Sequence, residues 1–228
     1  MRRTWKIPPK ANAAFVAAME DVLDVYARPR DAKRPRVCFD ETCKQQLREV
    51  VEPLPPQPGS AARSERTYER NGVSNLLLAF APLEQWRHIW VADRRDALTW
   101  AHCMRELVDV HFPNAERIVL VLDNVSTHAA SALYSAFAPD EAKRIWDRLE
   151  VHYTPKHGSW LNMAEIELSV LSRQCLDRRI PDQDTLREEA STWVDERNVR
   201  KATIDWRFTM TDARVKLKKL YPVLNPSR

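Results

Sequence analysis

The sequence predicts an α/β protein whose central sheet contains both parallel and antiparallel strands. The apolar run Ile118–Leu122 has no polar alternation, which is typical of a strand buried on both faces of a largely parallel sheet. Two further apolar segments, 73–81 and 88–92, are separated by a short connection and predict an antiparallel pair. Segments with helical spacing lie between the strands, so helices are expected to flank the sheet.

Composition sets the first limits on function. Of the 228 residues 44% are hydrophobic, which is enough for a sizeable core, and the net charge of +4 does not by itself establish nucleic-acid binding. Cysteines 38, 43, 103 and 175 have neither metal-ligand spacing nor a paired framework, which suits a reducing compartment. No apolar stretch approaches the ~18 residues of a membrane span, and there is no signal-peptide core, so we expect a cytoplasmic protein.

The amino-terminal part reads as a basic, proline-bearing linker followed by an amphipathic helix. Phe15, Met19, Val22 and Tyr26 recur at helical spacing. We therefore expect residues 1–34 to form a linker and helix, and residues 35–228 to form the main domain. The main domain opens with a short buried strand, 36–41, that ends near Asp40.

A long exposed loop is expected after this strand. Residues 52–58 hold four prolines, and an arginine-bearing stretch follows up to residue 72. Arg63, Arg66 and Arg70 would suit a phosphate backbone, although a solvated charged loop is the more common outcome.

The remaining elements follow in a regular order. Asp96 is expected to cap a helix, a helix-like segment runs from residue 129 to about 149, and a strand follows at 150–154. The loop 155–158 opens a helix from about residue 162. Thr185 and Glu188 read as a capping box for another helix, with Leu186, Ala190, Trp193 and Val194 facing inward.

Acidic residues at the strand ends are the candidates for chemistry. Asp40 and Asp123 each follow a buried strand, and ligands collect at the carboxyl ends of strands in open α/β sheets. Glu165 and Glu167 flank the apolar seam of the helix after Gly158 on opposite sides, and periodicity does not choose between them. Carboxylates are suitable ligands for hard divalent cations such as Mg²⁺. The alternative is that the Asp-Asn pair at 123–124 only starts a turn, which both residue types favour.

Three sequence blocks resemble a known family. VCFDE, VLDNVSTH and YTPKHGSWLNMAEIE resemble, in this order, the signature blocks of the insertion-sequence-630 branch of the Tc/mariner superfamily of DDE transposases. The resemblance implies a ribonuclease H-like fold, a mixed central sheet flanked by helices. The family's third acid closes an L-N-x-x-E pattern, which falls on Leu161, Asn162 and Glu165. Glu167 is then expected to be dispensable for catalysis.

The resemblance also implies an activity. Asp40, Asp123 and Glu165 would hold two Mg²⁺ ions, with Mn²⁺ as a possible substitute, and the protein would cleave transposon ends and join the 3′-hydroxyls to target DNA. It further implies a TA target, a homodimer on DNA and a bacterial, nucleoid-associated location. The rival functions are a non-catalytic DNA-binding or dimerising product and a ribonuclease H-like nuclease that cuts without joining.

Secondary roles are assigned more narrowly. Lys156, His157 and Trp160 join the three arginines as candidate DNA contacts, and Asn124, His128 and Asn162 are candidate supporting residues. Asn162 with Glu165 also fits a capping box, and His128 could cap the following helix.

Two departures from the family pattern bear on these expectations. Forty-two positions separate Asp123 from Glu165, more than in eukaryotic relatives, so residues 135–148 are expected to form a surface insertion. The family normally carries helix-turn-helix modules ahead of the catalytic domain, whereas few residues precede Asp40. Weak binding to DNA with little sequence preference is therefore expected.

Overall fold

Five strands form one mixed sheet in the computed structural model, which describes residues 10–50 and 67–222. The strands are β1 (Arg36–Glu49), β2 (Tyr68–Ala81), β3 (Trp86–Ala92), β4 (Ile118–Leu122) and β5 (Leu149–Tyr153). They lie in the order β3-β2-β1-β4-β5. The pairs β1–β2 and β2–β3 are antiparallel, and β1–β4 and β4–β5 are parallel. The predicted mixed sheet is therefore confirmed.

Helices cover both faces of the sheet. They are α1 (Ala13–Ala27), α2 (Ala97–Glu106), α3 (Ala130–Ala136), α4 (Pro139–Asp147), α5 (Met163–Leu171), α6 (Gln183–Val199) and α7 (Met210–Lys216). Two of them continue as π-helical turns, α2 through Leu107–His111 and α5 through Ser172–Leu176.

The core has two parts, one on each face of the sheet. One part joins residues of α1, α5, α6 and α7 to the sheet, and the other joins residues of α2, α3 and α4. Strand β4 contributes to both, because Val119 and Val121 face the first part while Leu120 and Leu122 face the second. All five β4 residues are buried, which confirms the reading of the apolar run.

Helix α1 belongs to the first part of the core. Phe15, Met19 and Val22 are buried there, and the hydroxyl of Tyr26 donates to the carbonyl oxygen of Leu161 at 2.7 Å. The helix and its apolar face are thus as predicted. The boundary expected at residue 34 stays a prediction.

Strand β1 is longer than predicted. It continues from Asp40 to Glu49 because β2 pairs with it as far as Tyr68. Parallel pairing with β4 stops at Cys38, and beyond that point β1 is partly exposed, so its polar residues resembled a strand end. The predicted loop ends before residue 72, since β2 begins at Tyr68, and residues 52–66 of that loop lie outside the described residues.

Two helix boundaries also differ from the expectation. Asp182, and not Thr185, caps α6, and the Thr185 N–H donates to Asp182 Oδ1 at 2.8 Å. The predicted inward face of α6 is confirmed, because Leu186, Ala190, Trp193 and Val194 are all buried. The segment after His128 forms two helices instead of one, since Pro139 starts a new helix and cannot continue the previous one.

Candidate active site

Asp40 and Asp123 lie side by side at one end of the sheet. The last parallel pair between β1 and β4 is Cys38 with Val121, and each aspartate comes two residues later. Side chains two residues apart on a strand point to the same face. Cys38 and Val121 both face the part of the core that contains α5. Asp40 therefore lies on the α5 face of β1, and Asp123 directly follows the end of the neighbouring strand β4.

Asn162 fixes the start of α5 against this end of the sheet. Its Nδ2 donates to the carbonyl oxygen of Phe39 at 2.8 Å, next to Asp40, and its Oδ1 accepts from the Ala164 N–H at 3.1 Å. Asn162 is completely buried, so both bonds are shielded from water. It is thus the N-cap of α5. Glu165 lies in the first turn of α5, close enough for its charge to raise the pKa of Asp40.

The predicted capping box at Asn162 and Glu165 is realised only in part. Asn162 caps the helix, as that alternative required. Its own backbone N–H, however, donates to the Ser159 carbonyl at 2.7 Å, in the 3₁₀ turn Ser159–Leu161. That turn satisfies the group which the Glu165 side chain would bind in a capping box. Glu165 is left half-buried.

Electrostatics shows that the three acids share one environment. Burial, together with the negative charges of Glu165, Asp123 and Glu41, raises the pKa of Asp40 to about 7, against the Glu41 N–H that donates to its carboxylate at 2.8 Å. A carboxyl group with these neighbours favours its neutral form unless a positive charge lies close to it. The arrangement thus favours a cation at this end of the sheet.

His128 is buried directly behind Asp123. Its Nδ1 lies 2.8 Å from Asp123 Oδ1, and its Nε2 lies 3.8 Å from Glu41 Oε2. Burial opposes the charged imidazolium, but the two carboxylates outweigh burial and raise the pKa of His128 to about 9. The backbone carbonyl of His128 also accepts from the hydroxyl of Tyr153 at 2.7 Å. His128 is therefore a positive, fixed neighbour of Asp123 and does not cap α3, whose N-cap is Ala129.

Glu167 is directed away from the aspartates into a buried ion-pair network. Its Oε1 lies 2.7 Å from Nε of Arg87 and 2.8 Å from Nε of Arg197. Glu167 and Arg87 are both fully buried. The network joins α5 to β3 and α6. Glu167 thus has a structural role, and of the two glutamates it is Glu165 whose charge reaches Asp40.

The other candidate residues lie around the same end or on the surface. Asn124, Lys156 and His157 are exposed. Trp160 is partly buried and packs edge-on against Phe208, with ring centroids 5.7 Å apart. Arg70 is exposed on β2, whereas Arg63 and Arg66 lie outside the described residues. The DNA-contact assignments stay predictions.

Sequence reasoning gave too little weight to Glu41 and missed Tyr26 altogether as a site residue. Glu41 lies between His128 and Arg95, whose Nη1 is 3.9 Å from its carboxylate. Tyr26 ties α1 to the turn that precedes α5. The acidic pair at positions 40 and 41 was a signal for the first residue. No local pattern could have revealed the second, because its partner is 135 residues away.

The donor set fits hard divalent cations. Three carboxylates converge on one end of the sheet, and Mg²⁺ and Mn²⁺ prefer oxygen ligands. Burial and the like charges of its neighbours account for the raised pKa of Asp40, and a bound cation would offset both effects. Asp40, Asp123 and Glu165 are therefore the residues that could hold metal.

Comparison with known proteins places the chain in a family. Residues 35–187 match the family described as DDE superfamily endonuclease, so the chain belongs to that family. No curated protein matches its sequence.

Solved structures show which fold this member has. The catalytic domain of Mos1 mariner transposase has a TM-score of 0.56 at 14% identity, over 86% of this chain and 90% of that one. A pre-cleavage Mos1 transpososome has a TM-score of 0.57 at 16% identity, and the Mos1 paired-end complex with Mn has one of 0.55 at 16%, each over 88% of this chain. The fold is thus that of the mariner transposase catalytic domain, and the ribonuclease H-like prediction is confirmed.

The present chain spans 63% and 62% of the transposase chains in those two complexes. In its described part, no helix is both long enough and apolar enough to cross a bilayer.

Proposed function

We propose that this protein is a metal-dependent DNA transposase subunit that cleaves transposon ends and joins the freed 3′-hydroxyls to target DNA. One observation supports the proposal: the charges of Asp123 and Glu165, together with burial, raise the pKa of Asp40 at the end of the sheet. Membership of the DDE endonuclease family supports the same assignment.

The three carboxylates would hold two Mg²⁺ ions, for which Mn²⁺ could substitute. Bound there, the ions would activate the attacking water or hydroxyl and stabilise the leaving oxygen. The chain's own residues position these ligands. Asn162 fixes the turn that carries Glu165, and His128 holds Asp123 from behind. No side chain has to act as a covalent nucleophile.

DNA is the proposed partner. The matched Mos1 structures include a paired-end complex with the left transposon end and a strand transfer complex. For this chain we propose duplex DNA as substrate, a TA target, a homodimer on DNA and a nucleoid-associated location in the bacterial cytoplasm. Lys156, His157 and the exposed Arg70 are the proposed phosphate contacts among the described residues.

The test is a cleavage and joining assay on a labelled transposon end with the Asp123→Asn variant. The substitution keeps the size and hydrogen bonding of the side chain but removes a negative charge. Cleavage and joining in Mg²⁺ should fall by orders of magnitude, while the melting temperature stays within a few degrees of the wild type. Binding to DNA should persist, because one repelling charge has been removed.

The matched control is Asp147→Asn on the surface of α4, which should retain full activity. Normal cutting by Asp123→Asn in Mg²⁺ would refute the assignment. Cleavage without any joined product in the wild type would identify a nuclease instead of a transposase.

A further inference from the structure

A second cluster of metal-ligand side chains lies apart from the three acids. It joins His88 on β3, Glu106 at the end of α2 and His111 at the end of the π-helical turn that continues α2. One ligand atom from each residue lies within 4.8 Å of the other two, and no other group of three in the described part of the chain is this compact. The cluster is on the α2 side of the sheet, whereas Asp40 lies on the α5 face of β1.

The geometry centres on one carboxylate oxygen. Oε1 of Glu106 is 3.4 Å from Nε2 of His111 and 3.8 Å from Nε2 of His88. Zinc binds imidazole nitrogen and carboxylate oxygen at about 2.0–2.2 Å, so neighbouring ligand atoms in a tetrahedral site are separated by roughly 3.3–3.5 Å. The two distances from Glu106 are within a few tenths of an ångström of that separation.

An unsatisfied polar atom also points into the cluster. Nε2 of His111 is buried and makes no well-aligned hydrogen bond with the described residues, although Oε1 of Glu106 lies 3.4 Å away. A buried polar atom without a partner carries a desolvation cost that a hydrogen bond or a metal bond would remove. Burial also lowers the pKa of both imidazoles, that of His88 to about 4. Both rings are therefore neutral at pH 7, which is the form that binds metal.

Aromatic rings hold the two imidazoles in place. Trp86 stacks on His88 with an interplanar angle of 8° and lies 4.9 Å from His111, measured between ring centroids. Trp90 contacts His88 at 4.5 Å and His111 at 5.8 Å. The ligands are thus preorganised, and only a small loss of side-chain freedom would accompany binding.

We propose that His88, Glu106 and His111 form a zinc-binding site that fastens the edge strand β3 to the end of α2. Two imidazole nitrogens and one carboxylate oxygen select a transition metal such as Zn²⁺ over Mg²⁺, which prefers oxygen ligands only. The side chains of His88 and Glu106 are 32% and 41% exposed, so the fourth position faces solvent and takes a water molecule. The site is separate from the proposed catalytic centre and does not depend on it.

The experiment measures Zn²⁺ binding to the full chain after removal of metals, in a large excess of Mg²⁺. The excess Mg²⁺ occupies carboxylate sites and does not compete for imidazoles. We expect one Zn²⁺ per chain, a rise in melting temperature and a change in tryptophan fluorescence, because Trp86 and Trp90 adjoin the ligands.

Variants assign the ligands. His88→Gln and His111→Gln should each weaken Zn²⁺ binding by more than roughly 100-fold. Loss of a residue that only contacts a metal ligand costs roughly 10–100-fold, and a direct ligand should cost more. Glu106→Gln should weaken Zn²⁺ binding as well. Because Glu106 is half-exposed, this variant should fold, and it tests the site even if a histidine variant misfolds. The control is His102→Gln on the same helix, one turn before Glu106 and exposed, which should bind as the wild type does.

The absorption spectrum of Co²⁺ bound in place of Zn²⁺ provides a second test, because it reports the coordination geometry. A tetrahedral spectrum that is lost in His111→Gln and kept in His102→Gln supports the site. Zn²⁺ binding that survives in the His88, His111 and Glu106 variants, or that disappears in excess Mg²⁺, would overturn the proposal.

Discussion

At the scale of single residues, burial and like charges give Asp40 an unusual titration. Its pKa is about 7 in the folded protein, against 3.8 for an ordinary aspartate. Between these two pH values the folded state binds more protons than the unfolded state. The free energy of unfolding of the metal-free protein should therefore fall as pH rises across this interval.

We predict that Asp40→Asn removes much of this fall. In a chelator, the variant should be only modestly more stable than the wild type near pH 5, where Asp40 has ionised in the unfolded chain and is still protonated in the folded chain, and the difference should widen up to pH 7. At pH 8 it should be more stable by up to a few kcal/mol, because each unit of pKa corresponds to about 1.4 kcal/mol. The measurement is the melting temperature from pH 5 to 8, with Asp147→Asn as control. Parallel curves for variant and wild type would contradict the prediction.

At the scale of elements, the attachment of α5 to β1 decides where Glu165 lies. Asn162 makes two distinct contributions, a cap for α5 and a bond to the Phe39 carbonyl oxygen. The two can be separated by substitution. Serine retains an oxygen that can cap α5, but its side chain is too short to donate to the Phe39 carbonyl oxygen. Alanine loses both the cap and this hydrogen bond.

We predict that Asn162→Ala lowers the free energy of unfolding by about 1–3 kcal/mol, since a buried carbonyl and an N-terminal N–H of α5 lose their partners. Asn162→Ser should recover part of that stability and little of the cleavage activity, because Glu165 is no longer fixed against β1. Chemical denaturation and the cleavage assay measure the two effects. Recovery of full activity by serine would show that capping alone positions Glu165.

The ion-pair network around Glu167 holds the same helix from its other side. We predict that Glu167→Gln destabilises the fold by about 3–5 kcal/mol, because it leaves the buried Arg87 guanidinium without a countercharge. The folded fraction should remain active. Glu188→Gln, on the exposed face of α6, is the control and should change stability little.

A double variant tests whether the network acts as a unit. Arg87→Met with Glu167→Met should cost less than the sum of the two single changes, since neither buried charge is then left alone. Arg197 is 16% exposed and can reach solvent. Strict additivity in denaturation experiments would argue against coupling between Arg87 and Glu167.

At the scale of the whole molecule, a net charge of +4 offers only modest general attraction to DNA. We predict that the chain alone binds duplex DNA weakly, with little sequence preference and a steep loss of affinity as salt rises. Fluorescence anisotropy across a salt series measures this. Nanomolar discrimination of one terminal sequence at physiological salt would disagree with it.

A substitution on β2 localises the DNA contact. Arg70→Ala should weaken binding about equally for all sequences and reduce the salt slope by about 1 if Arg70 contacts a phosphate. Arg200→Ala, exposed at the end of α6, is the matched control. Equal effects of the two changes would remove Arg70 from the proposed interface.

The sequence by itself determined the mixed sheet, the buried strand β4, the apolar face of α6 and the candidate acids. Each of these features depends on short-range periodicity or on a contiguous motif. It did not determine the length of β1. The polar residues after Asp40 resemble a strand end, and only pairing with β2 keeps them in the sheet.

Periodicity could not decide which glutamate shares the environment of the aspartates; the family resemblance pointed to Glu165, and only the tertiary structure gives the physical reason. Glu165 and Glu167 are two residues apart on one helix, and both are acidic, so local pattern could not separate them. The distinction depends on Arg87 and Arg197, which are distant in sequence and neutralise Glu167 inside the core. The cluster of His88, Glu106 and His111 arises in the same way, since a strand and the end of a helix meet only after the chain has folded.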